Sequence, residues 1–490
     1  MRAKWNRVQI RDVCELIIDC VNKTAPQVSY ATPYKMIRTP NIRNGRIDLT
    51  NCRYVEKDTY QKWTRRATVE PDDILLTREA PMGEVGLVDF SDTVFLGQRI
   101  MQYRVDKDVL HPRFLLYSFL SADLQNQFRV HDGTGSVVSH IRVPDCSKFE
   151  LNLPPLSEQN RIVEILGNLD DKIQINHQIN QTLEQMAQAL FKSWFVDFEP
   201  VKARIAARER WWALHPDNEP ASPVYYAAEL DEPPAVGDLE TIMNRAAMQA
   251  ISGKTAAELD ALREEEPERY QELYDTAALF PSAMQPSELG EIPEGWEVST
   301  VGREFDVTMG QSPPGNTYNE TGEGIPFFQG RRDFGDRFPT NRVYCTQPKR
   351  MARQGDTLLS VRAPVGDANI ALIDCCIGRG LAAIRHKSGC SSFTYYSVIQ
   401  LGHELSPYDS EGTVFGSINQ KNLKDVSQLV PPHEVLFSFQ KAAKALDEQI
   451  KLNSEELASL AAMRDTLLPR LLSGELTTSE AEETQSEVTA

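Results

Sequence analysis

Apolar residues between 162 and 194 recur at spacings that alternate four and three: Ile162, Leu166, Leu169, Ile173, Leu183, Ala187, Leu190 and Trp194, with Asn176 and Asn180 at the two intervening positions. That spacing is a heptad seam, and it predicts a long helix packed against another helix. Shifting the first nine positions by 277 residues gives Phe439, Ala443, Leu446, Ile450, Asn453, Leu457, Leu460, Arg464 and Leu467, in the same phase. Asn176 therefore matches Asn453. A buried asparagine on such a seam costs stability but sets register and orientation, and this is the role expected of both. Antiparallel pairing would bring the two asparagines to one level and leave a globular unit at each end. At ~1.5 Å per residue the seam spans roughly 50 Å.

The repeat extends beyond the seams. Asp73-Ile-Leu-Leu-Thr-Arg-Glu-Ala-Pro-Met-Gly-Glu84 matches Asp356-Thr-Leu-Leu-Ser-Val-Arg-Ala-Pro-Val-Gly-Asp367, and each reads as a short strand followed by a Pro/Gly turn. Gly133-Thr134 with Gly135-Ser136 matches Gly412-Thr413 with Gly416-Ser417, a loop before each helix. Leu153-Pro-Pro-Leu156 and Val430-Pro-Pro-His433 each end a strand and lead into a helix, with Ser157, Glu158 and Gln159 as a capping signal in the first copy. A period this long is a duplicated domain rather than a solenoid. The expected fold class is α+β: two similar globular domains separated by two long helices that form an antiparallel intramolecular coiled coil, with pseudo-twofold symmetry. The expected boundaries are a first domain at 1–156, its helix at 157–200, an acidic helical spacer at 201–290, a second domain at 291–433, its helix at 434–474, and a disordered acidic tail at 475–490. Within the spacer, Glu229, Asp231, Glu232, Pro233 and Pro234 suggest a linker, and 238–279 reads as helical and solvated.

Composition changes this picture only when divided along the chain. The net charge of −18 looks unlike a nucleic-acid binder. Yet residues 1–150 hold 22 Lys/Arg against 19 Asp/Glu, residues 301–400 hold 12 against 9, and residues 201–300 hold 8 against 20. Two mildly basic domains are thus joined by acidic segments. No run of 18 apolar residues exists, so no membrane helix is expected. Eight cysteines without a C-x-x-C pair point to a reduced, cytoplasmic protein without a structural metal.

Catalytic signatures are missing. Gly253-Lys254-Thr255 ends like a phosphate-binding loop, but Met248 stands where the first glycine must be, so the nest of backbone N–H groups is not expected. Leu153 and Val430 precede the Pro-Pro pairs where an amino-methyltransferase needs Asn or Asp. Binding residues are plentiful instead. The second domain carries Gln311, Ser312, Thr317, Tyr318 and Asn319, then Gln329, Arg331, Arg332, Arg337 and Arg342, with Ser417 in the later loop. The first carries Lys35, Arg38, Asn41, Arg43, Asn44, Arg46, Arg65 and Arg66, with Ser136 in its later loop and Tyr30, Tyr34, Tyr54, Tyr60 and Trp63 interleaved. Forked guanidiniums grip phosphates or guanine edges, and Asn or Gln amides pair with adenine edges. Both clusters are candidate DNA contacts.

In this combination the chain resembles the DNA-specificity subunits of type I restriction-modification systems. The residues that carry the resemblance are Leu153-Pro-Pro-Leu-Ser-Glu-Gln-Asn-Arg-Ile-Val163, Leu169-Asp-Asp-Lys-Ile173, Gln188-Ala-Leu-Phe-Lys-Ser-Trp-Phe-Val-Asp-Phe198, Ser287-Glu-Leu-Gly-Glu-Ile-Pro-Glu-Gly-Trp296 and Leu358-Leu-Ser-Val-Arg-Ala-Pro-Val-Gly366. The second copy departs from the pattern, because Pro432-His-Glu-Val-Leu436 lacks the Leu-Ser-Glu-Gln of the first. The resemblance implies a non-catalytic subunit whose two target-recognition domains each read one half of a split, asymmetric site in double-stranded DNA. It implies that the helices dock two modification subunits, which bring S-adenosylmethionine and methylate adenine, and that two restriction subunits using ATP and Mg2+ join them. This chain would itself hold no cofactor. A fused modification enzyme with a diverged motif, or a scaffold that binds only proteins, are the alternatives.

Overall fold

The computed structural model describes residues 5–130, 140–215, 238–405 and 416–481, the side chains of 403 and 404 aside. Two compact units emerge, one built on residues up to Gln178 together with those from Asn453 on, the other on Ile179–Leu452. Ser136, the Gly133-Thr134 and Gly412-Thr413 loop starts and the 229–234 linker lie outside the described residues.

The domain in each unit is built on the same four-stranded antiparallel sheet. In the first unit the strand order is Cys14–Asp19, Ile100–Val105, Ile74–Thr77, Val85–Leu87. In the second it is Phe305–Met309, Leu381–His386, Thr357–Ser360, Ala368–Ile370. The third strands are buried along their whole length because both faces are covered, with Ile74-Leu-Leu76 and Leu358-Leu359 as their apolar centres. Ile74 and Leu76 face one core and Leu75 another, and Leu359 and Leu358 are divided in the same way. A short parallel pair lies over the second face in both, Lys35–Ile37 with Val94–Leu96 and Ile325–Phe328 with Cys375–Ile377.

The matched sequence segments are matched frames. Asp73 accepts from the Glu70 N–H at 2.7 Å and from Arg104 Nε and Nη2 at 2.9 Å each. Asp356 likewise accepts from the Arg353 N–H at 2.7 Å and Arg385 Nε at 2.6 Å. After each strand the chain turns through a cis Ala-Pro bond. Thr77 Oγ1 donates to the Pro81 carbonyl and accepts from the Glu84 N–H, and Ser360 Oγ does the same with Pro364 and Asp367.

The two long helices run Leu156–Phe195 and His433–Leu472, 40 residues each. In the first, the Pro155 carbonyl accepts the Glu158 and Gln159 N–H groups, so the helix begins one residue ahead of Ser157 and needs no cap from it. Gln159 is committed elsewhere. Its buried side chain accepts from the His111 N–H at 2.8 Å and donates to the Val109 and Pro154 carbonyls, which ties the helix to its domain. Every seam position is buried or half-buried. Within the first unit the two helices pair antiparallel: Asn176 Nδ2 donates to Glu456 Oε2 at 2.7 Å, Lys172 pairs with the same carboxylate, and Arg464 meets Asp170 at 3.2 Å. The second unit repeats the antiparallel sense, with Asn180 Nδ2 on the Ile450 carbonyl at 3.4 Å and Phe191 against Phe439 further along. A tyrosine on a shorter helix of each domain, Pro112–Leu120 in the first and Ser391–Leu405 in the second, packs that domain on its long helix. Tyr117 donates to Asp170 at 2.8 Å and Tyr396 to Asp447 at 3.3 Å.

The acidic spacer is helical over the expected 238–279, but it is more than a solvated face: helices Leu239–Ser252, Ala256–Glu265 and Pro267–Ala278 enclose a core of Ala247, Met248, Leu259, Leu262 and Ala277, with helix Glu199–Leu214 preceding them. Arg204, 4% exposed, bonds Asn244, Glu240 and the Ala277 carbonyl. Its charge faces outward, and its apolar minority makes a small core. The tail was expected to be disordered, but its described residues, 475–481, are folded, because Leu476 and Ala481 join the core of the first domain. All eight cysteines are free, seven of them buried. Among the described residues no helix is long and apolar enough to cross a membrane.

Leu476→Ala should cost ~2 kcal/mol in denaturant unfolding of the full chain, because it empties a buried site; an unchanged midpoint would show the tail to be incidental. His386 lies edge-on between Phe305 and Phe393, and burial pulls its pKa down to about 4. The unfolded chain binds this proton from the ordinary histidine range downward and the folded chain does not. Stability is therefore complete above about pH 6.5 and falls as the pH drops toward 4. His386→Phe should flatten that part of a melting-temperature profile.

Candidate nucleic-acid interface

In the second domain the strand Ile325–Phe328 ends beside the cis-proline turn, and an open cleft of about 660 Å³ lies between them. It is lined by Ser312, Gln329, Arg331, Arg332, Arg362 and Arg379. Glycine backbone makes the approach possible. A Cβ on Gly380 would lie 2.5 Å from the Gln329 carbonyl, and one on Gly310 would lie 2.1 Å from that of Gly378. The loop from Gln329 is pinned by Asp333, whose buried carboxylate accepts from the Gln329 and Gly330 N–H groups at 2.6 and 3.3 Å. Arg342 Nη2 reaches the same carboxylate at 3.1 Å. Arg331 pairs with Asp367 at 2.5 Å, and Arg332 Nη2 donates to Gln329 Oε1. Arg362 and Arg379 are exposed and make no ion pair among the described residues. Four guanidiniums and one amide thus share a concave surface on a held backbone. Such a surface grips phosphates and presents forked donors to base edges.

Several residues expected at the interface are used internally. Arg337 is 4% exposed and bonds Glu184, Asp447 and the Tyr396 hydroxyl, so it is a core cation and not a DNA contact. Burial disfavours its charge, but Tyr396, Asp447 and Glu184 outweigh that and hold its pKa above the ordinary value. Thr317 is buried, with Oγ1 on the Pro314 carbonyl, and Tyr318 stacks on Phe327 and donates to the Pro313 carbonyl. Asn319 closes its own turn by accepting from the Thr321 and Glu323 N–H groups. Gln311 stays exposed beside the cleft, its N–H on the Ile377 carbonyl. Ser417 is exposed and bridges backbone to backbone with Arg362.

The first cluster is similarly sorted. Asn41 is buried, its Oδ1 accepting from the Arg38 N–H at 2.9 Å, so it holds the turn as Asp333 does in the second domain. Lys35 pairs with Asp92, Arg66 with Asp19, and Arg38 donates to the Asn51 carbonyl. Arg43 bonds the Thr39 and Ile42 carbonyls, and Arg65 the Lys62 carbonyl. Asn44 has positive φ and is exposed, its N–H on Glu84. Arg46 reaches the first long helix, on Gln174 and the Asp170 carbonyl. Where the second domain has Arg362 and Gly380, the first has an ion pair, Glu79 with Arg99 at 3.0 Å. The equivalence rests on matching bonds, Arg78 N–H to the Arg99 carbonyl and Val361 N–H to that of Gly380.

Arg362 and Arg379 were missed by reading arginine-rich stretches. Their signal was the alignment of the copies: Arg362 stands in the matched segment where the first copy has Glu79, and Arg379 stands between Gly378 and Gly380. A charge reversal inside a duplicated frame marks a position that the fold does not dictate.

A family model described as the type I restriction modification DNA specificity domain matches residues 2–185. The chain is 30% identical over 443 residues to the type I restriction enzyme HindI specificity subunit of Haemophilus influenzae, covering 84% of this chain and 88% of that protein. It is 22% identical over 451 residues to the type I restriction enzyme MjaIX specificity subunit of Methanocaldococcus jannaschii, covering 88% and 85%. A solved structure of the type I restriction-modification system S subunit from M. genitalium aligns over 96% of both chains at 15% identity, with a TM-score of 0.48. With this duplicated frame, and at this identity over most of both proteins, the chain belongs to the type I restriction enzyme specificity subunits.

Proposed function

We propose that this chain is the DNA-recognition subunit of a type I restriction-modification complex, each domain reading one half of a bipartite, asymmetric site in double-stranded DNA. The cleft that joins Gln329, Arg331, Arg332, Arg362 and Arg379 in the second domain carries this reading. It supplies phosphate grips and forked donors on a pinned loop. The chain is a specificity subunit rather than an enzyme. Methyl transfer and restriction fall to two modification and two restriction subunits, with S-adenosylmethionine, ATP and Mg2+ held on those subunits. The unbroken 40-residue helices, paired antiparallel within each unit, support a second element of the proposal. They act as the ruler between half-sites and as the surface on which the modification subunits dock.

Arg362→Ala with Arg379→Ala should weaken DNA binding of the assembled complex and relax discrimination at one half-site only. If both side chains sit on phosphates, the slope of log affinity against log salt should fall by about 1.8. Wild-type binding and methylation by this variant would overturn the cleft assignment. Inserting seven residues in phase into both long helices adds about 10 Å. The permitted gap between half-sites should then grow by about three base pairs, at ~3.4 Å each. A methylation assay on a gap-length series reads this directly, and an unchanged optimum would remove the helices from the role of ruler.

A further inference from the structure

The loop that carries the cleft arginines does not end at the cleft. From Arg331 it runs through a narrow hairpin in which Phe334 bridges Pro339 and the Thr340 N–H donates to the Asp333 carbonyl at 2.9 Å. Asn369 clasps Gly335 from both sides, accepting its N–H at 3.1 Å and donating to its carbonyl at 3.2 Å. At the tip stands Arg337, whose carbonyl accepts the Ile370 N–H at 2.9 Å. Its guanidinium leaves the domain surface and enters the helix pair. There it bonds Glu184 on the first long helix and Asp447 on the second, shares the Tyr396 hydroxyl at 2.7 Å, and lies 4.3 Å from the centre of the Tyr395 ring. One side chain thus joins the recognition loop to both helices of its unit.

The first unit solves the same electrostatic problem differently. Asp170, the counterpart of Asp447, also takes a tyrosine hydroxyl, but its cation is Arg464 from the opposite helix. The position matching Arg464 on the first seam is Ala187. The cation needed in the second unit is therefore brought by the recognition loop.

We propose that Arg337 is a positioning residue that locks the second recognition loop to the helix pair, so that readout of the second half-site depends on the Glu184–Arg337–Asp447 junction while readout of the first does not. This rests on the DNA-reading function proposed above. Its physical basis is that a buried cation held between two carboxylates tolerates little displacement. Five residues of clasped hairpin transmit that constraint to Arg332.

The test uses the full chain assembled with its modification subunits and a DNA library randomised in each half-site, with methylation as the readout. Removing Arg337 alone would strand two carboxylates, so the main variant replaces the whole junction: Arg337→Met with Glu184→Gln and Asp447→Asn. Exchanging a buried ion cluster for neutral groups often leaves stability intact, and the melting temperature checks it. Discrimination at the second half-site should fall at least tenfold, with the first unchanged. Arg337→Lys, which keeps the charge but loses the fork, should fall between this variant and wild type. A folded triple variant that still discriminates both halves, or that loses both equally, would overturn the proposal; if the triple variant does not fold, the same outcomes for Arg337→Lys decide. Arg362→Ala with Arg379→Ala in the same assay separates the two claims. If that pair relaxes the second half-site and the junction variant does not, only the positioning role fails; if neither does, the cleft reading fails with it.

Discussion

In each unit one aspartate of the long helix accepts a tyrosine hydroxyl from the domain packed on it: Asp170 from Tyr117, and Asp447 from Tyr396. A half-buried carboxylate is costly unless it is paired, so the fold around each has to supply donors. In the first unit these are Tyr117 and Arg464, and in the second they are Tyr396, Ser392 and Arg337. Burial, and then the Asp170 charge, push the Tyr117 pKa well above the ordinary phenol range, and burial does the same for Tyr396 against the opposing charge of Arg337. Both hydroxyls therefore keep the proton they donate. Through this contact the sheets and the cleft take a defined place on the helix beneath them.

A division of labour follows within each domain. The Asp–Arg brace, the Thr or Ser turn and the strand order recur in both copies, and they hold the backbone. The loops between them differ in length and charge, and they are what a duplex would meet. The acidic total of the chain is compatible with this because the acidic excess lies mainly in residues 201–300, which hold 8 Lys/Arg against 20 Asp/Glu, away from the cleft in sequence.

Much of this was legible in the chain before any fold was seen. The seams were, because burial on a helix imposes a period and every seam position is in fact covered. The frame was, because identical hydrogen bonds require identical residues, as Asp73 and Asp356 show. The cleft was only half legible. Arg331 and Arg337 are written with the same letter six positions apart, yet one lines a cleft and the other fills a core. That difference depends on which carboxylates sit opposite, and Glu184 and Asp447 are more than a hundred residues away from Arg337. Asn41, Thr317 and Asn319 misled for a related reason. Side chains that can read a base edge are also those that can close a turn. The insert was legible as helices but not as a core, and the tail up to Ala481 misled, because a mostly charged segment can still bury a few apolar residues, such as Met248 or Leu476.

The junction at Arg337 has a bearing on how such a protein can change its target over generations. Loops anchored only to their own frame can be exchanged freely, since the anchors do not depend on what the loop contains. The second recognition loop lacks that freedom. Any replacement must return an arginine to the same point between the helices, or leave Glu184 and Asp447 half-buried without a counter-charge. The first loop also touches its helix, through Arg46 on Gln174 and the Asp170 carbonyl, but it strands no carboxylate when it goes, because Arg464 stays with Asp170. New specificities should therefore accumulate faster in the first domain than in the second, and transplanted second-domain loops should succeed chiefly when they carry the arginine with them.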